Sequence, residues 1–510
     1  MAAPLSAVHR HRRVRTDIAL ACLAIIGLVA WTSIALAPVN VDVAWLLVAC
    51  GRLLDGSVLH RDVIEVNPPF SIWLYMPFVV AERATSIAAS TWLAIELPTL
   101  ALASVLLSGR ILTRGTAFDR PVSAWAIPAS LVILSGLSPA DFGQREQFAA
   151  IAILPWLALL AGRAASADLS AGTAVDKTFA AVGVAVFVMI KPPLAALAPA
   201  LPAVYVAMTR RSLRPLLTAE TLGGAAIVLA YLAWLAAFHL PFFFELMPTL
   251  SALYLPSRKA LTDPELARPV AVFLLLCIAT VAVARPGRAR GHVVLLLLAA
   301  LGYIPAFLAM GKGWLYQAMP FLTLGILAFV LQALQLQGLR QAPLAAQAAL
   351  GAGLLLAANL ADPSQFVALA ERRAHISAAA EAIGYHVERP TLMSVATRLQ
   401  PAHPLTLAAD ATYLSRYPAL WMIDNAQELI DKGEGRDGLF ALRDRFVAET
   451  ASDLRRLRPD VVVAGGSRPT PGQGVIESDP AIAATLDGYR VIHRDAASTV
   501  YLRADLLRRG

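Results

Sequence analysis

The chain has 510 residues, of which 58% are hydrophobic and only 15% charged, and its mean hydropathy is +0.63. Soluble domains carry about 25% charged residues, so this composition excludes an ordinary soluble protein and indicates lipid as the main solvent. The net charge of +8 could suggest binding of nucleic acid. The basic residues lie in short clusters between apolar runs, however, and this pattern is typical of membrane topology signals.

A series of apolar runs extends to residue 361. Many of these runs are close in length to the roughly 20 residues that a spanning helix needs. The predicted spans number about eleven: 18–37, 89–109, 122–140, 148–163, 178–190, 192–208, 219–238, 269–284, 291–310, 319–338 and 344–361. The first run follows a basic stretch, as a signal peptide does. It is long enough to span, and Leu36-Ala37-Pro38 is a poor cleavage site, so we interpret it as an uncleaved helix.

The basic residues predict on which side of the membrane each loop lies. They occupy the N-terminus and alternate connections: Arg10, Arg12, Arg13, Arg15, Arg110, Arg114, Arg120, Arg163, Lys177, Arg210, Arg211, Arg214, Arg285, Arg288, Arg290 and Arg340. If the N-terminus is cytoplasmic, all of them fall on the cytoplasmic side, as the positive-inside rule requires. We therefore expect a multi-pass protein of a bacterial inner membrane, with the region after the last span on the periplasmic side.

The apolar segment Pro68–Val80 does not fit this scheme as a span. It has about 13 residues and begins with two prolines, and counting it as a span would invert every later loop. We interpret it as a juxtamembrane helix within the outer loop 38–88, with Trp73 and Tyr75 at the level of the lipid headgroups.

The first outer loop carries most of the acidic residues that could take part in chemistry. Asp42 follows the first span directly, where partial desolvation can tune the basicity of a carboxylate. Behind it lie His60, Asp62 and Glu65, which are candidate substrate-binding residues. The alternative is a solvated loop in which acids such as Asp55 only form turns.

The second outer loop, residues 141–148, contains Asp141, Arg145 and Glu146 in a connection barely long enough to join two spans. Charges at such a position are costly unless they are paired or face a polar cavity. These three residues are therefore candidates for catalysis or phosphate binding. The alternative is a structural ion pair between Arg145 and one of the two acids.

Several outer cations are not explained by topology. Lys191 precedes two prolines and could either extend to the membrane surface or bind a lipid-linked phosphate. Arg258, in the aromatic-rich loop 239–268, could steer an anionic headgroup. Lys312 lies between two glycines in GKGWLYQAMP (311–320), where an open backbone suits the approach of a phosphate. Trp314 and Tyr316 of the same motif are candidate substrate contacts or interfacial anchors.

The order of these features resembles the GT-C class of membrane glycosyltransferases, in particular the branch of the protein mannosyltransferases and lipid A aminoarabinose transferases. The resemblance rests on Asp42 after the first span, the run GRLLDGSVLHRDVIEVNPPF, the motif DFGQRE, Lys191-Pro192, and GKGWLYQAMP. The chain departs from this branch at Val43, where many relatives carry a second acid, and at His60, where a tyrosine is common. The sequence contains no Walker A, GxSxG, HExxH or CxxC motif that would indicate another chemistry.

The resemblance implies transfer of a sugar, with inversion, from a polyprenyl-phosphate donor to a lipid, polysaccharide or protein acceptor on the periplasmic face. Asp42 would act as general base, and Glu146 or Asp141 would orient the acceptor. The departing phosphate would be stabilised by cations, for which the candidates are Lys191, Arg145, Lys312 and Arg258. No cofactor is certain. A divalent metal stays an open alternative, because metal use varies within the class, but no ligand cluster in this sequence demands one.

Residues 362–510 have the composition of a soluble domain. Short strands are predicted at 391–396, 404–408, 460–464, 489–493 and 498–502, separated by helices near 364–384, 424–433 and 437–457. This alternation predicts a small periplasmic α/β domain that positions the acceptor or covers the cavity. The predicted fold is thus a polytopic α-helical membrane domain of the GT-C type followed by a small α/β domain.

Three alternatives to this function remain open. A lipid-linked glycan flippase or other transporter predicts charges at the centre of the membrane, where Glu96 is the chief candidate. A polymer ligase would move a preformed glycan from a lipid diphosphate. The third alternative is a non-catalytic scaffold, which would not require an acidic residue such as Asp42 after the first span.

Overall fold

The structure is a computed structural model of the chain. It describes residues 4–114, 126–165, 172–191, 194–283, 290–334, 364–400, 402–433, 437–465 and 470–508. Contacts within the chain divide it into two compact units, which are described separately. The membrane unit comprises residues 1–35, 91–237 and 259–363, and the loop–sheet unit comprises residues 36–90, 238–258 and 364–510.

The first two thirds of the chain are almost entirely helical. In chain order, the α-helices are α1 (Pro4–Trp31), α2 (Val41–Leu54), α3 (Phe70–Trp73), α4 (Met76–Thr85), α5 (Ala89–Arg114), α6 (Ala126–Gly136), α7 (Arg145–Ala152), α8 (Leu154–Ala165), α9 (Ala174–Ile190), α10 (Leu197–Arg210), α11 (Ala219–Phe238), α12 (Met247–Tyr254), α13 (Pro264–Val283), α14 (Arg290–Met310) and α15 (Leu315–Ala333).

Seven helical segments in the described part of the chain are long and apolar enough to cross a membrane. They are Thr16–Ile34, Ala89–Arg114, Arg145–Ala165, Ala219–Phe238, Pro264–Val283, Gly291–Met310 and Leu315–Ala333. Shorter apolar helices occupy Ala126–Gly136 and Leu194–Arg210, and α9 covers the predicted span 178–190. The predicted span 344–361 lies outside the described residues. The chain is a multi-pass membrane protein, as the sequence predicts.

Helices of the membrane unit approach one another closely where small residues face a neighbouring backbone. A Cβ atom on Gly183 of α9 would lie 2.0 Å from the carbonyl oxygen of Ala152 at the end of α7. A Cβ atom on Gly302 of α14 would lie 2.4 Å from the carbonyl oxygen of Leu197. Such contacts drive helix association in lipid, where hydrophobic burial between helices contributes little. They bring α7 against α9 and α14 against α10.

The segment Pro68–Val80 forms two short helices, α3 and α4, and no span. Pro77 occupies the first turn of α4, where its missing N–H is not needed. Trp73 is 36% exposed, but Tyr75 is fully buried within the protein. The Tyr75 ring packs against Phe78, so it contacts protein and not lipid, and its level in the membrane stays a prediction.

The last third of the chain adds further helices and a five-stranded sheet to the loop–sheet unit. The elements are α16 (Ser364–Gly384), β1 (Thr391–Ser394), α17 (Ala402–Ala408), β2 (Thr412–Tyr413), α18 (Trp421–Asp431), α19 (Asp437–Leu457), β3 (Val461–Gly465), α20 (Pro471–Ser478), α21 (Pro480–Leu486), β4 (Tyr489–Arg494) and β5 (Ser498–Arg503).

The sheet has the strand order β2-β1-β3-β5-β4. Strand β1 runs parallel to β2 and β3, whereas β5 runs antiparallel to β3 and β4. The central strand β3 reads VVVAG, and an apolar run of this length is typical of a strand buried on both faces. Val462 pairs with Met393 on one side and with Tyr501 on the other. Ile423 and Leu454, from α18 and α19, belong to the same buried cluster as Val462.

Four of the five predicted strands are present, and the strand predicted at 404–408 is wrong. These residues belong to α17, in which Thr406 Oγ1 donates to the carbonyl oxygen of Ala402 at 2.7 Å. Pro404 is tolerated because it lies in the first turn of the helix, where no N–H partner is lost. The residues from Ala402 to Thr406 are all buried, and a short buried run does not distinguish a helix from a strand in the sequence.

Candidate active site

The N-terminus of α7 is held rigidly, and it carries four consecutive buried polar residues from Gln144 to Gln147. The Gln147 side chain accepts the Gly143 N–H at 2.8 Å and donates to the Leu134 carbonyl oxygen at 2.9 Å. Gly143 has φ +82, and a Cβ atom there would lie 2.7 Å from Leu93, so the position requires glycine. The motif DFGQRE therefore fixes the position from which Arg145 and Glu146 enter the protein interior.

Glu146 forms an ion pair with Lys191, with 2.8 Å between Oε1 and Nζ. The Glu146 side chain is fully buried and that of Lys191 is 11% exposed. Lys191 is the C-cap residue directly after α9, so the end of this helix places the Lys191 ammonium beside the start of α7. Arg145, 4% exposed, also interacts electrostatically with Glu146. Glu146 is thus buried beside two cations, Lys191 and Arg145.

Lys191 also lies beside aromatic rings from the GKGWLYQAMP motif. Its Nζ is 5.9 Å from the centroid of the Tyr316 ring, within the range of a cation–π contact. Trp314 stacks on Tyr316, with centroids 5.8 Å apart and planes inclined by 25°. The burial and pairing of Lys191 are inconsistent with the alternative that its side chain extends to the membrane surface. The structure thus brings Arg145, Glu146, Lys191 and Tyr316 together in the membrane unit.

The glycines of the same motif shape the turn before α15. Gly311 and Gly313 have φ +64 and +73, a region that favours glycine. A Cβ atom on Gly313 would lie 2.6 Å from Cβ of Glu265, so the turn packs directly against the start of α13. Lys312 between them is 9% exposed. This burial shows that Lys312 is part of the protein interior and not an open surface cation.

Tyr303 of α14 is a polar residue near this cluster that the sequence analysis missed. Its side chain is fully buried, and its hydroxyl has no hydrogen-bond partner among the described residues. It interacts electrostatically with Glu146 and Arg145, and its ring packs edge-on against Phe187 at 5.5 Å. A buried tyrosine hydroxyl usually has a partner. The feature of the sequence that could have indicated this residue is a single tyrosine within an otherwise apolar span.

Asp42 lies in the loop–sheet unit, in the first turn of α2. Its backbone N–H donates to Asn40 Oδ1 at 2.9 Å, which caps the helix. The side chain is half-buried. A helix N-terminus favours an ionised carboxylate, the form that a general base needs before it accepts a proton.

Glu65 and Asp62 are engaged by donors from their own loop. Buried Glu65 accepts from Trp45 Nε1 at 2.5 Å, and from the backbone and side-chain N–H groups of Asn67 at 2.8 and 2.5 Å. Asp62 pairs with Arg61 at 2.8 Å and accepts the Val58 N–H at 2.8 Å. The hydrogen bonds from Arg61 and Val58 lower the pKa of Asp62 to about 2. Both carboxylates therefore stabilise the loop itself.

His60 has φ +67 and packs between rings. Its Nδ1 is 3.4 Å from Nδ1 of His239, and its ring centroid is 5.0 Å from that of Phe242. Burial and the neighbouring His239 lower the pKa of His60 to about 4, so the ring is neutral at pH 7. His60, together with Trp421 and Arg445, lines a cavity of about 180 Å³ in the loop–sheet unit.

The remaining predicted site residues are in simpler surroundings. Asp141 ends a short 3₁₀ turn, Pro139–Asp141, and its Oδ2 accepts from Ser138 Oγ at 2.9 Å. The Arg258 side chain is exposed. Among the described residues, no group of three or more His, Cys, Asp or Glu side chains is arranged to hold a metal ion.

Comparison with known proteins gives matches only at the level of structure. No protein-family model and no curated protein sequence matches the chain. The fold is similar to that of ArnT from Cupriavidus metallidurans in the apo state, with a TM-score of 0.56 and 15% identity over 98% of this chain and 100% of ArnT. The structure of ArnT bound to undecaprenyl phosphate gives a TM-score of 0.54 at 15% identity, over 97% of this chain and 100% of ArnT.

ArnT is a GT-C membrane glycosyltransferase, and the similarity extends over both units of the present chain. The chain therefore has the GT-C fold, and the fold class predicted from the sequence is confirmed.

Proposed function

We propose that this protein is a membrane glycosyltransferase that transfers a sugar from a polyprenyl-phosphate donor to an acceptor of the cell envelope. The observation that carries the proposal is the buried cluster of Arg145, Glu146 and Lys191, in which two cations lie beside one carboxylate at the start of a membrane span. Buried charges in a membrane domain are costly and usually serve binding or transport. The binding of undecaprenyl phosphate by ArnT, which has the same fold, supports a lipid phosphate as the ligand.

In the proposed reaction, an acceptor oxygen forms a bond to the anomeric carbon of the sugar while the bond from that carbon to the donor phosphate oxygen breaks. The phosphate keeps the electron pair and gains negative charge. Lys191 and Arg145 stabilise this charge, and Glu146 holds Lys191 in position. Lys312 and Arg258 are further expected phosphate ligands, and Tyr316 and Trp314 are expected to contact the substrate.

The proton of the acceptor hydroxyl passes to the Asp42 carboxylate, which acts as general base on the periplasmic face. Attack from the side opposite the phosphate inverts the configuration of the sugar. Glu146 and Asp141 are the expected acceptor-orienting acids. Support for Asp42 comes from its position in the first turn of α2, directly after the first span.

The experiment uses reconstituted protein, a radiolabelled polyprenyl-phosphate sugar and crude envelope acceptors. Three variants are compared: Glu146→Gln, Lys191→Met and the double variant. Each single variant removes one partner of the buried ion pair and should unfold more easily, whereas the double variant removes both partners and should be more stable than either single variant. We expect the double variant to be folded and still inactive.

The matched control is another ion pair of the membrane unit with a fully buried carboxylate, Arg110–Asp176. The double variant R110M/D176N should keep its transferase activity. Full activity of E146Q/K191M would show that the Glu146–Lys191 pair is only structural, and the proposed phosphate site would then be wrong.

A further inference from the structure

A second cluster of charges lies at the opposite end of the helical segment that begins with Arg145. Arg163 is near the C-terminus of α8, about 27 Å further along the helix axis, which is close to the thickness of the hydrocarbon core of a bilayer. Its side chain is 1% exposed and pairs with the fully buried Glu220 of α11. This separation fits two charged clusters at opposite headgroup layers of a bilayer.

The cluster lines a cavity of about 250 Å³ in the membrane unit. The charged residues around it are Arg163, Lys177, Arg214 and Glu220. Glu220 is engaged by Arg163 and by the Thr218 hydroxyl, which donates at 2.8 Å. Three cations and one carboxylate leave the cavity strongly positive.

Arg163 has hydrogen-bonding capacity that the protein does not use. Its Nε and Nη2 are buried, and neither has a partner among the described residues. A guanidinium carries five N–H donors, and unpaired buried donors are costly. Lys177 is half-buried and Arg214 is exposed, and neither side chain has an ion-pair partner in the described ranges. The cavity thus offers donors that suit the oxygens of a phosphate.

The side chains beside the cavity are apolar and exposed. Leu217 lines the cavity and is 65% exposed, and Leu213 is 68% exposed. Exposed leucines next to a basic cavity suit a ligand with a phosphate and an acyl chain better than a free phosphate ion. Basic pockets between membrane helices are a known mode of binding for anionic phospholipids.

We propose that this cavity binds the phosphate of an anionic membrane phospholipid. Arg163 donates to the phosphate oxygens from the interior, Lys177 and Arg214 contact them from the rim, and the acyl chains lie along Leu213 and Leu217. The site is separate from the Glu146–Lys191 cluster and does not depend on the function proposed for that cluster.

The test uses the purified full-length protein in detergent, with phosphatidylglycerol or phosphatidylcholine added. Native mass spectrometry measures retained lipid, and thermal unfolding measures stabilisation. The variant K177Q/R214Q removes the two rim cations and keeps the buried Arg163. The control R114Q/R211Q removes two exposed arginines that do not line the cavity.

We expect the parent and the control to retain phosphatidylglycerol in preference to phosphatidylcholine. In K177Q/R214Q, the affinity for phosphatidylglycerol should fall by about 30-fold, equivalent to about 2 kcal/mol for two cations. Equal retention by the variant and the parent would overturn the proposal. Stabilisation of the parent by inorganic phosphate to the same extent, with no preference among lipids, would assign the cavity to a soluble phosphate and would equally overturn it.

Discussion

The carboxylates of the first outer loop and the carboxylate of Glu146 differ in where their partners lie along the chain. Glu65 and Asp62 accept hydrogen bonds from neighbours in their own loop, such as Asn67 and Val58. Glu146 lies in the first turn of α7, whereas its partner Lys191 directly follows α9, and this pair is buried beside a second cation, Arg145. The first arrangement fixes a loop, whereas the second holds charge inside a membrane domain at a cost that folding alone does not require.

The number of acidic residues in a loop therefore does not indicate which of them take part in catalysis. The first outer loop is the richest in acids, but two of them, Glu65 and Asp62, accept hydrogen bonds from donors of the same loop. Asp42 differs from them in its position, because it lies in the first turn of α2, where its backbone N–H donates to Asn40 Oδ1. The predictions below test whether Asp42 belongs with the structural acids or with Glu146.

The largest effect is expected for Asp42→Asn. Loss of a general base lowers kcat by about 10²- to 10⁴-fold. Loss of the charge at the N-terminus of α2 should lower stability by only about 0.3–1 kcal/mol. Steady-state transfer of labelled sugar measures the effect. Asp55→Asn is the control, because Asp55 ends the same helix and pairs at the surface with Arg83 at 2.8 Å. If Asp42→Asn and Asp55→Asn were equally active, Asp42 would belong with the structural acids.

Lys191→Met should cause the largest loss of stability. Removing one partner of a buried ion pair costs about 3–5 kcal/mol. Glu146 would stay buried and charged, with only Arg145 beside it. Thermal unfolding in a fixed detergent measures the change. Arg258→Gln, which removes an exposed cation, should leave the melting temperature nearly unchanged. A small effect of Lys191→Met would show that water or a nearby donor compensates Glu146.

Glu65→Gln should destabilise the loop–sheet unit by about 1–3 kcal/mol, because an amide N–H would face either Trp45 Nε1 or the Asn67 donors. Activity per folded molecule should not change. A double-mutant cycle with Asn67→Ala measures the coupling directly, and we expect the two effects not to be additive. A loss of specific activity in stable Glu65→Gln protein would instead indicate that Glu65 contacts the substrate.

His60 should make the stability of the loop–sheet unit depend on pH. Its folded-state pKa is lowered to about 4 by burial and by His239, whereas the unfolded pKa is about 6.5. The unfolded chain therefore binds more protons between these values, so stability is fully present above pH 6.5 and decreases as the pH falls towards 4. Thermal unfolding at pH 7 and pH 5 should show a larger difference for the parent than for His60→Gln.

Local patterns in the sequence predicted most of the fold. Apolar runs located the membrane helices because spanning length and hydrophobicity are local properties, and the VVVAG run located the central strand β3 for the same reason. The helix Ala402–Ala408 was missed because a short apolar run with threonine and proline fits either structure until tertiary burial decides.

The site was predicted less completely than the fold. The residues Glu146, Lys191 and Tyr316 were identified singly, since each charge or ring stands out in apolar surroundings. Their contacts were not predicted, because the ends of α7, α9 and α15 meet only through helix packing. Tyr303 was missed because a tyrosine in a span is usually a packing residue, and only its unpartnered hydroxyl in the described structure distinguishes it.

The smallest effect is expected for Asp62→Asn, although Asp62 is central to the GRLLDGSVLHRDVIEVNPPF motif. The ion pair with Arg61 is solvent-exposed, with Arg61 at 72% and Asp62 at 35% side-chain exposure, and exposed pairs contribute about 1 kcal/mol or less. Asparagine can still accept the Val58 N–H, so the turn should persist. Activity and melting temperature should both remain close to those of the parent. A large loss of activity without loss of stability would place Asp62 at the substrate, and the distinction between loop-fixing acids and Glu146 would then fail.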